Sequence, residues 1–97
     1  MIKVIIEGNK IEVSGHANYD DYGKDIVCAS VSSIVITTIN GIIDIDDEAI
    51  LYEEEKDKIK IEMKKEDKVT KKLIDNMVFM LESLEKDYPK NIKILRR

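Results

Sequence analysis

Hydrophobic and polar residues alternate in two segments near the start of the chain, residues 2–7 and residues 10–14. In the second segment, isoleucine and valine alternate with lysine, glutamate and serine, which is the period of a strand with one buried face. Gly8-Asn9 separates the two segments and is typical of a tight turn. The pattern therefore predicts an N-terminal β-hairpin.

The same alternation returns in the middle of the chain, in residues 49–54 and 58–64, on either side of a charged turn at residues 55–57. These two segments predict a second hairpin. A short last strand is predicted over residues 91–95, and Arg96-Arg97 is interpreted as a tail.

Between the hairpins, apolar residues recur at helical spacing and predict a helix from Ile26 to about Ile43. Its apolar positions are Val27, Val31, Ile34, Val35, Thr38, Ile39 and Ile42. Many of these residues are β-branched and have poor helix propensity, so burial in the core must stabilise this helix. A strand over residues 33–39 is the competing interpretation.

A second helix is predicted from about Val69 to Asp87, because apolar residues form one stripe along it and charged residues cover the rest. The stripe consists of Leu73, Met77, Met80, Leu81 and Leu84. Pro89 ends this helix, since proline cannot continue its backbone hydrogen bonds. We interpret the stripe as core or as a dimer face.

The elements follow the order ββαββαβ, which predicts one α+β domain over residues 1–97. Its small mixed or antiparallel sheet should be packed with two helices, on one or both of its faces. A chain of 97 residues is long enough for one modest hydrophobic core.

The net charge of −4 argues against binding to nucleic acid, which depends on lysine and arginine that neutralise phosphates. Acidic residues cluster at residues 20–21, 44–48 and 53–55, and solvated loops account for each cluster taken alone. The N-terminus lacks the apolar run of a signal peptide. The most apolar stretch, residues 34–45, is interrupted by threonine, asparagine and aspartate. With a single cysteine, we expect a cytoplasmic protein that does not associate with membranes.

The only histidine, His16, and the only cysteine, Cys28, lie on either side of one polar loop at residues 17–24. Gly15 lets the backbone leave the strand just before His16, and Asp25 is a good N-cap for the helix. Cys28 then lies in the first helical turn, where the partial positive charge favours the thiolate. Asp25 opposes this effect if its carboxylate is close.

A strand end and a helix start joined by such a loop are able to bring an imidazole and a thiol within hydrogen-bond distance. His16 would then take the proton of Cys28 and later protonate a leaving amine. The spacing permits this geometry without requiring it, because a buried structural cysteine and a surface histidine fit the same pattern. A zinc site would need paired ligand spacing, and a redox sensor would need an intermolecular partner. We expect no metal and no cofactor.

Three short segments of this stretch stand out: Gly15-His16-Ala17, the run from Tyr22 to Ala29 and the pair Val31-Ser32. Together they resemble the signature of a known family, the Prp family of ribosomal-processing cysteine proteases. Their specific match is confined to residues 15–32, whereas the length and the order of elements resemble the family over nearly the whole chain.

The resemblance implies a cysteine endopeptidase that removes a short N-terminal extension from ribosomal large-subunit protein twenty-seven. It implies Cys28 as the nucleophile and His16 as the general base and acid. It also implies a homodimer, and a loop between the two residues that becomes ordered when substrate binds. The cut would follow an aromatic residue preceded by apolar residues, and basic residues would begin the mature protein.

Other residues of this stretch are candidates for supporting roles. Asp25 orients His16 or only caps the helix, and Gly15 and Gly23 serve the backbone geometry of the loop, with Gly23 as its hinge. Ser30 and Ser32 are interpreted as packing or helix-surface groups.

Four loop residues are candidates for substrate binding. Tyr19 and Tyr22 could line an apolar cleft, and Asp20 and Asp21 could meet basic residues beyond the cut. The alternative function is a non-catalytic, ribosome-associated binding module in which the thiol is structural.

Overall fold

The computed structural model describes residues 1–15 and 26–97. Its elements are β1 (Ile2–Glu7), β2 (Lys10–Ser14), α1 (Ile26–Ile45), β3 (Ile50–Glu55), β4 (Lys58–Met63), α2 (Lys68–Asp87) and β5 (Ile92–Arg96). The predicted ββαββαβ order is confirmed, and the alternative strand over residues 33–39 is wrong. Helix α1 continues to Ile45 rather than ending near Ile43, because the N–H of Asp46 still donates to the Ile42 carbonyl at 2.8 Å.

The strands form one mixed sheet in the order β3-β4-β2-β1-β5. Strand β5 pairs with β1 in parallel, and the other neighbours are antiparallel. The register pairs Val4 with Val13 and Ile11 with Ile61. Since paired residues point to the same side of a sheet, these residues make one apolar face.

Both helices cover that face and contact each other. Buried residues of the strands and of both helices form one core cluster. Among the residues of the opposite face, Lys10 and Lys60 are exposed, and Lys58 lies 3.8 Å from Glu12. The sheet is therefore covered on one face, and the prediction of a small sheet packed with two helices is confirmed.

Helix α1 is the apolar helix of this core. The side chains of Val27, Val31, Val35, Ile39 and Ile42 are buried. By length and composition alone, with 20 residues and a mean hydropathy of 2.0, the helix is long and apolar enough to cross a membrane, although threonine, asparagine and aspartate interrupt its second half. Burial of one face in the core accounts for the β-branched residues that are unfavourable for an isolated helix.

Helix α2 is amphipathic and capped at its start. The carboxylate of Asp67 accepts from the Val69 N–H and the Thr70 hydroxyl, both at 3.1 Å. The buried side chains are Thr70, Ile74, Met77, Val78 and Leu81. Met80, expected on the buried stripe, is 44% exposed, because the stripe follows the i, i+4, i+7 spacing from Thr70 instead.

The C-terminus continues the sheet further than predicted. Arg96 belongs to β5, and the Arg97 N–H donates to the Ile6 carbonyl at 2.9 Å. The guanidinium of Arg96 lies 3.0 Å from the carboxylate of Glu82 on α2. The prediction that Arg96-Arg97 is a tail is therefore wrong.

Candidate active site

The end of strand β2 has a backbone that requires glycine. Gly15 has a φ of +91°, and a Cβ at this position would lie 2.5 Å from the Met1 carbonyl oxygen. Its N–H donates to the Asp57 carbonyl in the β3–β4 turn at 3.0 Å. Gly15 therefore packs closely against the N-terminal backbone and is hydrogen-bonded to the hairpin turn, and only glycine fits this position without strain.

Cys28 lies in the first turn of α1. It is the third residue of a helix that begins at Ile26, and its side chain is half-buried and packs against the core. The turn itself contains no acidic residue. A thiolate at this position would be stabilised by the positive end of the helix dipole.

A cavity of about 300 Å³ lies between the start of α1, the end of β2 and the β3–β4 hairpin. Its apolar lining consists of Ile2, Val13, Val31, Val35 and Ile59. Its polar lining consists of Ser14, Ser32 and the segment from Glu54 to Lys58, together with Gly15 and Cys28. A cysteine sulfur at a partly apolar cavity is a candidate nucleophile.

Of the residues predicted from the sequence, the structure brings Gly15 and Cys28 together in this cavity. The others lie outside the described residues: His16, Tyr19, Asp20, Asp21, Tyr22, Gly23 and Asp25. Their roles stay predictions, as does the hinge role of Gly23.

The two serines next to this turn differ in their surroundings. The hydroxyl of Ser30 donates to the Ile26 carbonyl at 2.7 Å, so Ser30 is a helix-surface group. Ser32 is exposed on the helix surface, as interpreted, and it also lines the cavity.

The β3–β4 hairpin was missed as part of the site. Glu54 and the turn at Lys56-Asp57 line the Cys28 cavity, although they are distant from Cys28 in the sequence. One signal was available: in β3 the positions Ile50, Tyr52 and Glu54 share a face, and a carboxylate ends an otherwise apolar series.

A larger cavity of about 480 Å³ lies on the open face of the sheet. It is lined by strand residues such as Ile5, Leu51 and Glu53, and contains neither cysteine nor histidine among the residues that the structure describes. The cavity at Cys28 is therefore the candidate active site.

Comparison with known proteins assigns the chain to a family. The sequence profile of a family described as Cysteine protease Prp matches residues 1–93. The chain belongs to this family. It is therefore a cysteine protease, and it has the hydrolase activity and the fold that the resemblance implied.

Individual relatives support the assignment to the Prp family. The ribosomal processing cysteine protease Prp of Staphylococcus aureus is 32% identical over 98 residues, which cover 96% of this chain and 92% of that protein. The protein of the same name from Bacillus subtilis is 31% identical over 93 residues, covering 86% of this chain and 80% of that protein. The crystal structure of the S. aureus protease with a covalently linked product peptide covers 100% of both chains, with a TM-score of 0.93 at 25% identity.

Proposed function

We propose that this protein is an endopeptidase that removes the N-terminal extension of a precursor of ribosomal large-subunit protein twenty-seven. The observation that carries the proposal is the position of Cys28, the only cysteine of a cysteine protease, in the first helical turn beside a cavity. The relatives from S. aureus and B. subtilis are named as ribosomal processing proteases, which supports a ribosomal protein as the substrate.

In the proposed mechanism, the thiolate of Cys28 attacks the carbonyl carbon of the scissile peptide bond. His16 accepts the thiol proton and delivers it to the leaving amine, so the C–N bond breaks and a thioester remains on Cys28. Water, deprotonated by His16, then hydrolyses the thioester. Gly15, which lines the cavity, directly precedes His16 in the sequence and supports this assignment.

The start of α1 supplies electrostatic stabilisation in this mechanism. The tetrahedral intermediate places negative charge on the former carbonyl oxygen, next to the sulfur of Cys28. Because Cys28 lies at the positive end of the helix dipole, the same dipole that favours the thiolate also stabilises this oxyanion.

The cavity suits a substrate that is apolar before the cut. Val13, Val31 and Ile59 form an apolar lining beside Cys28, which fits the aromatic and apolar residues that the family resemblance implies there. We further propose that the enzyme acts in the cytoplasm and that it is a homodimer. Sedimentation of the purified protein would test the homodimer.

The loop residues complete the proposal. Asp25 orients His16 or only caps α1; Asp25→Asn retains capping ability, so a large loss of rate at unchanged stability would favour orientation, and an unchanged rate would leave the cap. Asp20 and Asp21 bind basic residues beyond the cut. Asparagine at both positions should slow turnover of a basic substrate more than of a neutralised one, and equal slowing would exclude this role.

Mass spectrometry of an extended ribosomal large-subunit protein twenty-seven, incubated with this protein and with Cys28→Ala, tests the proposal. A single cut at the apolar-to-basic junction, absent with the variant, would establish the reaction and its nucleophile. If the folded protein binds the substrate without cutting it, the activity is wrong and the binding-module alternative replaces it.

A further inference from the structure

Strand β3 places one carboxylate on the helix-covered side of the sheet. Its register pairs Tyr52 with Ile61 and Glu54 with Ile59, so Glu54 points to the same side as the buried Ile61. Glu53 and its partner Lys60 point to the opposite, open face. Glu54 is therefore a charged residue on the face where the other strands carry their apolar residues.

Glu54 is not covered by the helices because β3 is an edge strand. Tyr52, one step along the same face, is 42% exposed, and Glu54 is exposed as well. The side chain lines the same cavity as Cys28. A carboxylate thus lies at the open margin of the cavity that contains the proposed nucleophile.

In the described part of the chain Glu54 has no ion-pair partner, whereas the nearby Lys58 is paired with Glu12. Lys58, which also lines the cavity, has its ammonium 3.8 Å from Glu12, whose carboxylate belongs to the open face. Lys56 is the other cation of the lining, and Glu55 and Asp57 contribute two more acids. The described lining therefore holds three carboxylates and two ammonium groups, while the wall nearest α1 is apolar.

We propose that Glu54 is a specificity-determining residue that binds a lysine or arginine side chain of the peptide substrate. A long basic side chain fits this surface because its methylene groups pack on apolar residues such as Ile59 while its charged end reaches the carboxylate. A single carboxylate is a poor site for Ca²⁺, which takes six to eight oxygens. The proposal rests on the proposed protease function and adds a determinant of its substrate choice.

Peptide kinetics test the selectivity. The substrates are peptides that span the cut. In each set of three peptides, one position carries lysine, norleucine or glutamate, and successive sets move this position along both sides of the scissile bond. At one of these positions, the wild-type enzyme should prefer lysine over norleucine. Glu54→Gln should lower kcat/KM for that lysine peptide by roughly two- to fivefold, which is the range for a solvent-exposed ion pair. The kcat/KM for the norleucine peptide should change little. Glu54→Lys should reverse the preference towards glutamate.

Glu53→Gln is the matched control, because it removes the same charge from the neighbouring residue on the opposite face. It should leave the preference for lysine intact. If both variants change the preference equally, the effect comes from net charge and the proposal is wrong. If neither variant changes it while wild type cleaves, Glu54 has no role in specificity although the protease function stands.

A second measurement does not depend on proteolysis. Cationic, neutral and anionic methanethiosulfonate reagents each convert the Cys28 thiolate to a mixed disulfide and release methanesulfinate, so their relative rates report the charge of the cavity. Glu54→Gln should reduce the ratio of cationic to neutral rates by roughly twofold or more, and Glu53→Gln should not. If no peptide is cleaved by wild type, the proposed function fails, and an unchanged ratio would separately overturn the role of Glu54.

Discussion

The two helices begin at opposite ends of the sheet, and their first turns are used differently. At the start of α2, the Asp67 carboxylate accepts from the Val69 N–H and the Thr70 hydroxyl. This carboxylate therefore caps the positive end of the α2 dipole. At the start of α1, the first turn carries the sulfur of Cys28 beside a cavity. One helix start stabilises the fold, and the other supplies the nucleophile in the proposed mechanism.

The strand connections near these two helix starts differ in the same way. Gly8, at the turn between β1 and β2, lines a cavity with Asp67 and Lys68, and has nothing within 4 Å of a hypothetical Cβ. Gly15, near Cys28, has the Met1 carbonyl at 2.5 Å from such a Cβ. The backbone is therefore closely packed at Gly15, near the proposed nucleophile, and has free space around it at Gly8, in a simple turn.

The largest effect is expected from removal of the sulfur. Cys28→Ala should lower turnover by about 10³-fold or more, because no other nucleophile replaces the thiolate, while the half-buried position should tolerate alanine with little change in stability. Ser30→Ala, in the same helix, is the control and should retain activity. A Cys28→Ala enzyme that still cleaves would move the reaction away from α1.

The second prediction compares the two glycines. Gly15→Ala should destabilise the fold by about 3 kcal/mol and reduce activity, because the methyl group would meet the Met1 carbonyl at a positive φ. Gly8→Ala has a positive φ but open space, and should cost only about 1 kcal/mol without loss of activity at temperatures where it is folded. Chemical denaturation measures both; equal costs would contradict the role assigned to close packing at Gly15.

A smaller effect is expected at the start of α2. Asp67→Ala should lower the free energy of unfolding by about 1 kcal/mol, because the Val69 N–H and the Thr70 hydroxyl lose their acceptor. Asp67→Asn should recover part of this loss, and neither variant should change kcat/KM well below the melting temperature. A loss of activity in the folded Asp67→Ala variant would show that the two helix starts are not independent.

The smallest effect concerns the charges near α2. Hydrogen bonds from the Glu48 N–H and from Lys65 lower the pKa of Asp46 below its ordinary value, and Asp46 raises the pKa of Lys65. The stabilisation by the Asp46 carboxylate is therefore present above its unfolded pKa and is lost as the pH falls through the folded one. The stabilisation by the Lys65 ammonium group is present below the pKa of Lys65 in the unfolded state. It is lost as the pH rises through the pKa of Lys65 in the folded state.

NMR titration of the carboxyl carbons checks this prediction. In Lys65→Gln, the pKa of Asp46 should rise towards its ordinary value without reaching it, because the bond from the Glu48 N–H remains. Activity near neutral pH should not change, since Lys65 lines the cavity beside α2 rather than the one at Cys28. An unchanged pKa would show that Lys65 does not stabilise the carboxylate.

The sequence predicted the fold well because periodicity is a local property. Alternation in β1, β2 and β4 and helical spacing in α1 each follow from which side chains are buried. Local pattern was less informative in α2, where Met80 was expected to be buried and Val78 is buried instead. Residues two positions apart point to nearly opposite sides of a helix, so burial of Val78 leaves Met80 exposed. The contacts of α2 with α1 and β5 select this rotation.

The site was predicted less completely, for a related reason. Cys28 and Gly15 were found because both lie in one segment with a recognisable signature. Glu54 and the turn at Lys56-Asp57 reach the cavity through the pairing of β3 with β4 and of β4 with β2, which sequence distance conceals. The Gly15 N–H bond to the Asp57 carbonyl also depends on this pairing.

The most direct test of the account is to trap the thioester. Wild-type enzyme and extended ribosomal large-subunit protein twenty-seven are mixed, quenched with acid during turnover and analysed by intact-mass and peptide mass spectrometry. We predict an adduct equal to the mass of the removed extension less one water, located on the peptide that contains Cys28. Cleavage without any adduct on Cys28, and with Cys28→Ala fully active, would contradict the assignment of the chemistry to the start of α1.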